Sequence, residues 1–302
     1  MANLYGEISS NKWKTALLFF LFFLLVMAIG LVFDVVFNLS YMGVFFALLI
    51  TVIWCIISYF SGDKIVLAIA GARPANKREN AYLINTVEGL AIAAGLPKPT
   101  IYVMQDNAIN AFATGRDPQH SSIAVTTGAI EKLNRQELEG VVAHEMSHIK
   151  NFDIRTMLFA AVLVGIVAVL SDFLLRGFFW GRGSRDNDER GGGSIQLAFI
   201  AIGLVLAILA PLIANLIKLA ISRKREYLAD ASGALLTRYP EGLANALKKI
   251  AKEDMAVKNA TNATAHLYIA SPFRKKGMFS FVSNLFSTHP PIEDRIKKLE
   301  AM

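Results

Sequence analysis

Residues 144–148 read His144-Glu145-Met146-Ser147-His148. Two histidines four apart on a helix project from the same face, one turn apart, so both imidazoles can reach one metal ion. Glu145 stands between them, where a carboxylate can take a proton from water. These are the minimal parts for hydrolysing a peptide bond with zinc. The helix that carries them is announced ten residues earlier: Asn134 is a good N-cap, and Glu137 three residues on completes a capping-box pattern. Membrane-length apolar segments flank the motif on both sides, which points to a protease that works at a membrane.

The whole chain fits that placement. Of its 302 residues 54% are hydrophobic, and the excess is gathered in four blocks rather than spread as a soluble core would spread it. Thr15 to Phe33 is an uncharged run, and a second uncharged stretch follows Asp34 and reaches Gly62, with Tyr41 to Phe60 as its spanning part. Each crosses roughly 30 Å of hydrocarbon as a helix. Lys12 and Lys14 precede the first block like a signal peptide, but no small-residue cleavage site follows and a second span comes at once, so it reads as retained. The link Asp34 to Ser40 has no Lys or Arg, whereas Lys64, Arg73, Lys77 and Arg78 follow the pair. By the positive-inside rule both ends of this hairpin, and the motif after it, are expected on the cytoplasmic side. Thr156 to Leu175, broken by Asp172, and Ile195 to Ile217 form a second pair around a Gly-rich loop at 176–194. Its flanking charges orient it poorly, and spanning is favoured over a hairpin packed on the soluble part.

The net charge of +7 raises nucleic acid as a partner, but the basic residues lie beside the apolar blocks, where anionic lipid headgroups account for them, and no RNA-binding or zinc-finger signature accompanies them. A single cysteine, Cys55, excludes an intramolecular disulfide and a thiolate metal cluster. Between the apolar pairs the sequence reads as soluble structure: a helix over Asn76 to Ala94 stopped by Gly95 and Pro97, strands at Thr100 to Met104 and Ser122 to Thr126, and an edge strand or loop at Asn110 to Gly115. After the second pair come a helix over Gly242 to Glu253, a loop-like stretch over Lys258 to Ser287, and a short charged helix from Pro291 to Glu300. The expected parts are thus 1–62, 63–155, 156–219 and 220–302.

A catalytic zinc site takes a third protein ligand and keeps a fourth position open. His120, His266 and His289 are the remaining histidines, and Glu226 in Arg225-Glu226-Tyr227-Leu228-Ala229-Asp230 is the stronger candidate. Glu226 and Asp230 share a helical face, so one can bind metal while the other orients a ligating imidazole. The gap from His148 to Glu226 is almost wholly the second apolar pair, which returns the chain near its start. Arg223, Lys224 and Arg225 could equally pair with Glu226 as a plain surface acid, and His289-Pro290-Pro291 also reads as a rigid turn.

Over nearly its full length the chain resembles the HtpX membrane zinc metalloproteases, bacterial relatives of the CAAX prenyl-protein endopeptidases. The resemblance rests on the N-terminal apolar pair, Asn110-Ala111-Phe112-Ala113-Thr114-Gly115, Glu137-Leu138 leading into His144 to His148, Ser222 to Asp230, and His289-Pro290-Pro291 with Arg295. It implies a mainly α, multi-pass protein of the bacterial cell membrane, with four candidate transmembrane helices and a zincin-like α+β metalloprotease domain. It further implies one Zn2+ held by His144, His148 and Glu226, with Glu145 as general base. Asp230, His289 and Arg295 would support the ligands or the oxyanion, and Asn110, Ala111 and Phe112 would pair an extended substrate beside the metal. The implied activity is cleavage of damaged or misassembled membrane proteins at the cytoplasmic face. A metal-stabilised scaffold that binds without cutting is the non-enzymatic alternative, and such a scaffold has no need of Glu145.

Overall fold

The computed structural model describes residues 4–38, 40–165, 202–203, 223–253, 255–273 and 290–302. The first two helices, α1 (Leu4–Phe37) and α2 (Met42–Ile69), form an antiparallel hairpin. Asp34 closes it: its two carboxylate oxygens accept the Gly43 and Val44 amides at 2.7 and 2.8 Å, which caps α2 at its open N-terminus. The helices meet closely at Gly30 and Gly43, where a Cβ on Gly43 would lie 2.6 Å from the Gly30 carbonyl oxygen. Among the described residues, α2 is the helix long and apolar enough to cross a bilayer, and α1 adds the shorter apolar run Phe19–Val35. Phe45, Ile50 and Phe60 on α2 are more than half exposed, as lipid-facing side chains would be. Of the four expected spans, one, α2, is long and apolar enough among the described residues; most of the second apolar pair, with Asp172, lies outside them. α2 also continues beyond the expected boundary at 62, to Ile69.

Four strands follow, β1 (Ala72–Pro74), β2 (Thr100–Met104), β3 (Ala111–Asp117) and β4 (His120–Thr126), in the order β1-β2-β4-β3. β2 and β4 run parallel, Ile101 opposite Ile123 and Val103 opposite Val125, and the two outer pairs are antiparallel. Both faces of the sheet are covered, so the strands read as apolar runs rather than as an alternation. On one face Ile101, Val103, Ala113, Ile123 and Val125 pack with α3 (Ala81–Ala94), α5 (Arg135–Lys150) and α7 (Pro240–Lys252). A short α4 (Thr127–Lys132) connects β4 to α5. On the other face Met104, Phe112 and Ala124 meet Val66 and Leu67 of α2 together with Met157, Leu158, Leu267 and Tyr268. At about 1.5–3 kcal/mol for each fully buried large side chain, this second cluster fastens the apolar hairpin to the body that carries the motif.

The capping box forms as read, with the Asn134 side chain accepting the Glu137 amide and Glu137 accepting the Asn134 amide. α3 begins at Ala81, not Asn76, because the side chains of Asn76 and Asn80 bind the backbone of 76–80 in a turn that competes with helix. It ends as expected at Gly95, which takes the left-handed conformation, φ 68°, that favours glycine. α7 starts two residues early, at Pro240, a residue preorganised for the first helical position. The last helices are α6 (Arg223–Thr237), which packs along α5, and α8 (Ile292–Glu300), which packs on α7 and α6.

Candidate metal centre

His144 and His148 are buried on the inner face of α5, and their Nε2 atoms face each other at 3.2 Å. Each ring is held from behind by a carboxylate: His144 Nδ1 lies 2.9 Å from Asp230 Oδ1, and His148 Nδ1 lies 3.0 Å from Asp153 Oδ2. A neutral imidazole that donates through Nδ1 keeps its Nε2 lone pair for a metal, and a carboxylate behind each Nδ1 favours that tautomer once the ring is neutral. α6 brings Glu226 to the same point, its oxygens 3.7 Å from His144 Nε2 and 3.6 Å from His148 Nε2. Asp230 follows one turn later, and Gly233 lies on the same face. A Cβ on Gly233 would be 3.0 Å from the His144 backbone nitrogen, so the missing side chain lets α6 approach α5 closely enough for Glu226 to reach.

The donor set fits a divalent ion. Two ligands about 2.0–2.1 Å from a tetrahedral zinc are about 3.3 Å apart, close to the observed separation of the imidazole nitrogens. Four buried carboxylates, Glu145, Asp153, Glu226 and Asp230, face two buried guanidiniums, Arg225 and Arg295. With both imidazoles neutral, as metal binding requires, and Glu145 ionised, that leaves an excess of two negative charges, a burial that a divalent cation would compensate.

Arg295, 1% exposed, comes from α8 and grips Asp230 with two hydrogen bonds; its Nη1 donates to the Ile269 carbonyl at 2.7 Å and lies 3.8 Å from Glu226. Glu145 is buried with neither carboxylate oxygen hydrogen-bonded. Burial, with Glu226 adding to it, pushes its carboxyl up to about 7; His148, the nearby Ala113 amide and Arg295 pull the other way. Burial takes His144 down to about 4. Burial also disfavours charge on His148, but the hydrogen bond to Asp153 and the charge of Glu226 outweigh it and raise this imidazole to about 9. A carboxyl poised near neutral pH beside two imidazoles and a second carboxylate is suited to proton transfer.

Among the described residues, the side chains whose donor atoms lie close enough together to hold one ion are His144, His148 and Glu226. His120 sits exposed at the β3–β4 turn with Asp117, and His266 contacts the Met157 carbonyl oxygen at 2.9 Å. His289 lies outside the described residues. Asp230 lies against His144 Nδ1, and Arg295 lies against Asp230. Asn110, Ala111 and Phe112 do not form an open edge. β3 is an edge strand, but Ile269 donates its amide to the Ala111 carbonyl, Tyr268 bridges Phe112, and the Asn110 side chain donates to the Ala270 carbonyl. Asp153 and Arg225 were not foreseen. Arg225, read as a partner for Glu226, contacts Asp153 at 3.4 Å.

A family model described as peptidase family M48 matches residues 77–302. The chain is 47% identical over 298 residues to a protease HtpX homolog of Dictyoglomus turgidum, covering 99% of this chain and 94% of that protein. It is 46% identical over 300 residues to a protease HtpX homolog of Thermoanaerobacter pseudethanolicus, covering 99% and 98%. Among solved structures, crystalline Ste24p of S. mikatae aligns with a TM-score of 0.52 at 19% identity, over 99% of this chain and 67% of that one, which shows a shared fold. The chain belongs to peptidase family M48 and is a metalloprotease.

Proposed function

We propose that the chain is a membrane-embedded zinc endopeptidase of the bacterial cell membrane that cleaves misfolded or damaged membrane proteins at the cytoplasmic face. The observation that carries the proposal is the Glu145 carboxylate, buried and without a hydrogen-bond partner beside the His144, His148 and Glu226 donor atoms. A structural metal site has no use for such a group. A zinc ion bound there would polarise the scissile carbonyl and acidify water. Glu145 takes the proton from the attacking water and returns it to the leaving amine, for which a carboxyl near neutrality is suited. Asp230 and Asp153 hold the imidazoles in register, and Arg295 holds Asp230.

The alternation of β3 limits where a substrate strand could pair. The Asn110 carbonyl accepts the Thr126 amide, so residues 110, 112 and 114 turn their backbone toward β4, and 111, 113 and 115 turn theirs outward. Ala111 is taken by Ile269. A substrate strand proposed to pair beside Glu145 therefore meets an edge already engaged at Ala111 and Phe112, with Ala113 and Thr114 buried next to it. The exposed apolar face of α2 and the flanking Lys64, Arg73, Lys77 and Arg78 support a bilayer as the second partner, with the active site on the cytoplasmic side. All four apolar blocks span in this proposal.

The test uses full-length protein purified in detergent without metal. Zinc is added, and cleavage of an unfolded membrane protein is followed for the wild type and Glu145→Gln. Zinc-dependent cutting by the wild type, lowered about a thousandfold or more in the variant, is expected. Equal zinc binding by both with no cutting of any substrate offered would favour a scaffold instead.

A further inference from the structure

One carboxylate behind the metal centre has two duties. Asp153 is 2% exposed, and its Oδ2 lies 3.0 Å from His148 Nδ1 while its Oδ1 lies 3.4 Å from Arg225 Nη1. Its position in the chain gives this arrangement its meaning. Asp153 is the first residue of the helical run 153–165, which leads directly into the second apolar pair. Arg225 is in the first turn of α6, the helix that carries the chain back from that pair, and its neighbour is Glu226. The contact therefore joins the outgoing and returning limbs at the root of the apolar insertion. Through Asp153 it fixes one ligand, and through the backbone of α6 it fixes the helix that presents another.

We infer that Asp153, steadied by Arg225, is the positioning residue for His148, and that metal affinity depends on these two limbs being clasped together. An ion pair that served stability alone would have no reason to place one oxygen on the Nδ1 of a ligating ring. Carboxylates that orient metal-bound imidazoles set the ring angle and its basicity, and their loss lowers metal affinity roughly 10- to 100-fold. In this inference Arg225 bears on the metal through Asp153, so most of the effect of its loss depends on Asp153 being present. This inference rests on the metal centre proposed above.

The experiment uses full-length protein in detergent and measures zinc affinity by competition with a chromophoric chelator, together with the visible spectrum of the cobalt-loaded protein. Asp153→Ala is expected to weaken zinc binding about 10- to 100-fold and to change the cobalt spectrum, with the metal-free melting temperature serving as the measure of fold. Asp153→Asn, which keeps an acceptor for Nδ1–H, should lose less than Asp153→Ala and guards against a variant that fails to fold. Arg225→Ala should weaken binding several-fold in the wild type and by less than about twofold in the Asp153→Ala background. Wild-type affinity and spectrum in both Asp153 variants would overturn the inference, as would an Arg225→Ala loss of equal size in both backgrounds. If the wild type binds neither ion, or Glu226→Ala binds as tightly as the wild type, the metal centre itself is wrong and the inference falls with it.

Discussion

Arg295 holds Asp230 through two parallel hydrogen bonds, Nε to Oδ2 at 2.8 Å and Nη2 to Oδ1 at 2.7 Å, and Asp230 in turn holds His144. The last helix of the chain is thereby linked to a candidate ligand on α5 through a residue of α6. Burial opposes the charge of Asp230, but the Arg295 guanidinium and the His144 hydrogen bond hold its carboxyl well below the usual range. A guanidinium suits this place because its planar fork matches a carboxylate with two donors while a third reaches the Ile269 carbonyl.

Arg295→Ala leaves Asp230 buried without its counter-charge, which typically destabilises by about 3–5 kcal/mol. Arg295→Lys keeps the charge but not the fork and should fall between the two. Denaturant unfolding of the metal-free protein in detergent measures both. A melting curve for Arg295→Ala that overlays the wild type would contradict the role given to this contact.

Gly233 tests how closely the two ligand-bearing helices must approach. A side chain there meets backbone atoms of Ala143 and His144 at 3.0–3.2 Å, and backbone cannot move aside as a flexible side chain can. Gly233→Val should push α6 outward, destabilise by about 1–3 kcal/mol and lower zinc affinity at least tenfold, because Glu226 travels with the helix. Titration with zinc decides: unchanged affinity means that Glu226 reaches the site without this close contact.

What the sequence disclosed and what it hid have physical causes. His144, His148, Glu226 and Asp230 were legible because each pair lies four apart within one helix, where spacing alone fixes the face. Asp153 was not, because the chain leaves the helix at Asn151 and reverses through Phe152 at φ 59°, a conformation that no local pattern announces for a phenylalanine. Gly233 looked like one more glycine in a helix, and only the neighbouring backbone gives it meaning. The filling of the β3 edge by Tyr268 and Ile269 was hidden for another reason: the partner lies far along the chain in a stretch that reads as loop. The apolar hairpin was legible from hydropathy, and its attachment through Val66 and Leu67 to the sheet was not.

Asp34 should matter to the hairpin although it is only half-buried. It accepts the Gly43 and Val44 amides at the open end of α2, a cap whose loss typically costs about 0.5–2 kcal/mol. Asp34→Ala is expected to lower the melting temperature in detergent, and Asp34→Asn, which keeps an acceptor, to recover part of the loss. Equal melting of all three proteins would show that water replaces the cap.

Glu145 gives the metal-free protein a pH dependence with a definite sign. Its carboxyl stands at about 7 in the folded chain against an ordinary value of 4.5, so the folded state binds this proton more tightly than the unfolded state does. The stability it contributes is complete below the unfolded value and is lost as pH rises through 7. Over that window the wild type should weaken relative to Glu145→Gln by on the order of 3 kcal/mol, at about 1.4 kcal/mol per pKa unit. Parallel melts at pH 5, 6, 7 and 8 in the presence of chelator measure the difference. Saturating zinc should shrink it, because a neighbouring cation favours the ionised carboxylate. A gap between the two proteins that stays constant from pH 5 to pH 8 without metal would mean that Glu145 is already ionised in the folded chain, and its selection as the poised base would lose its physical ground.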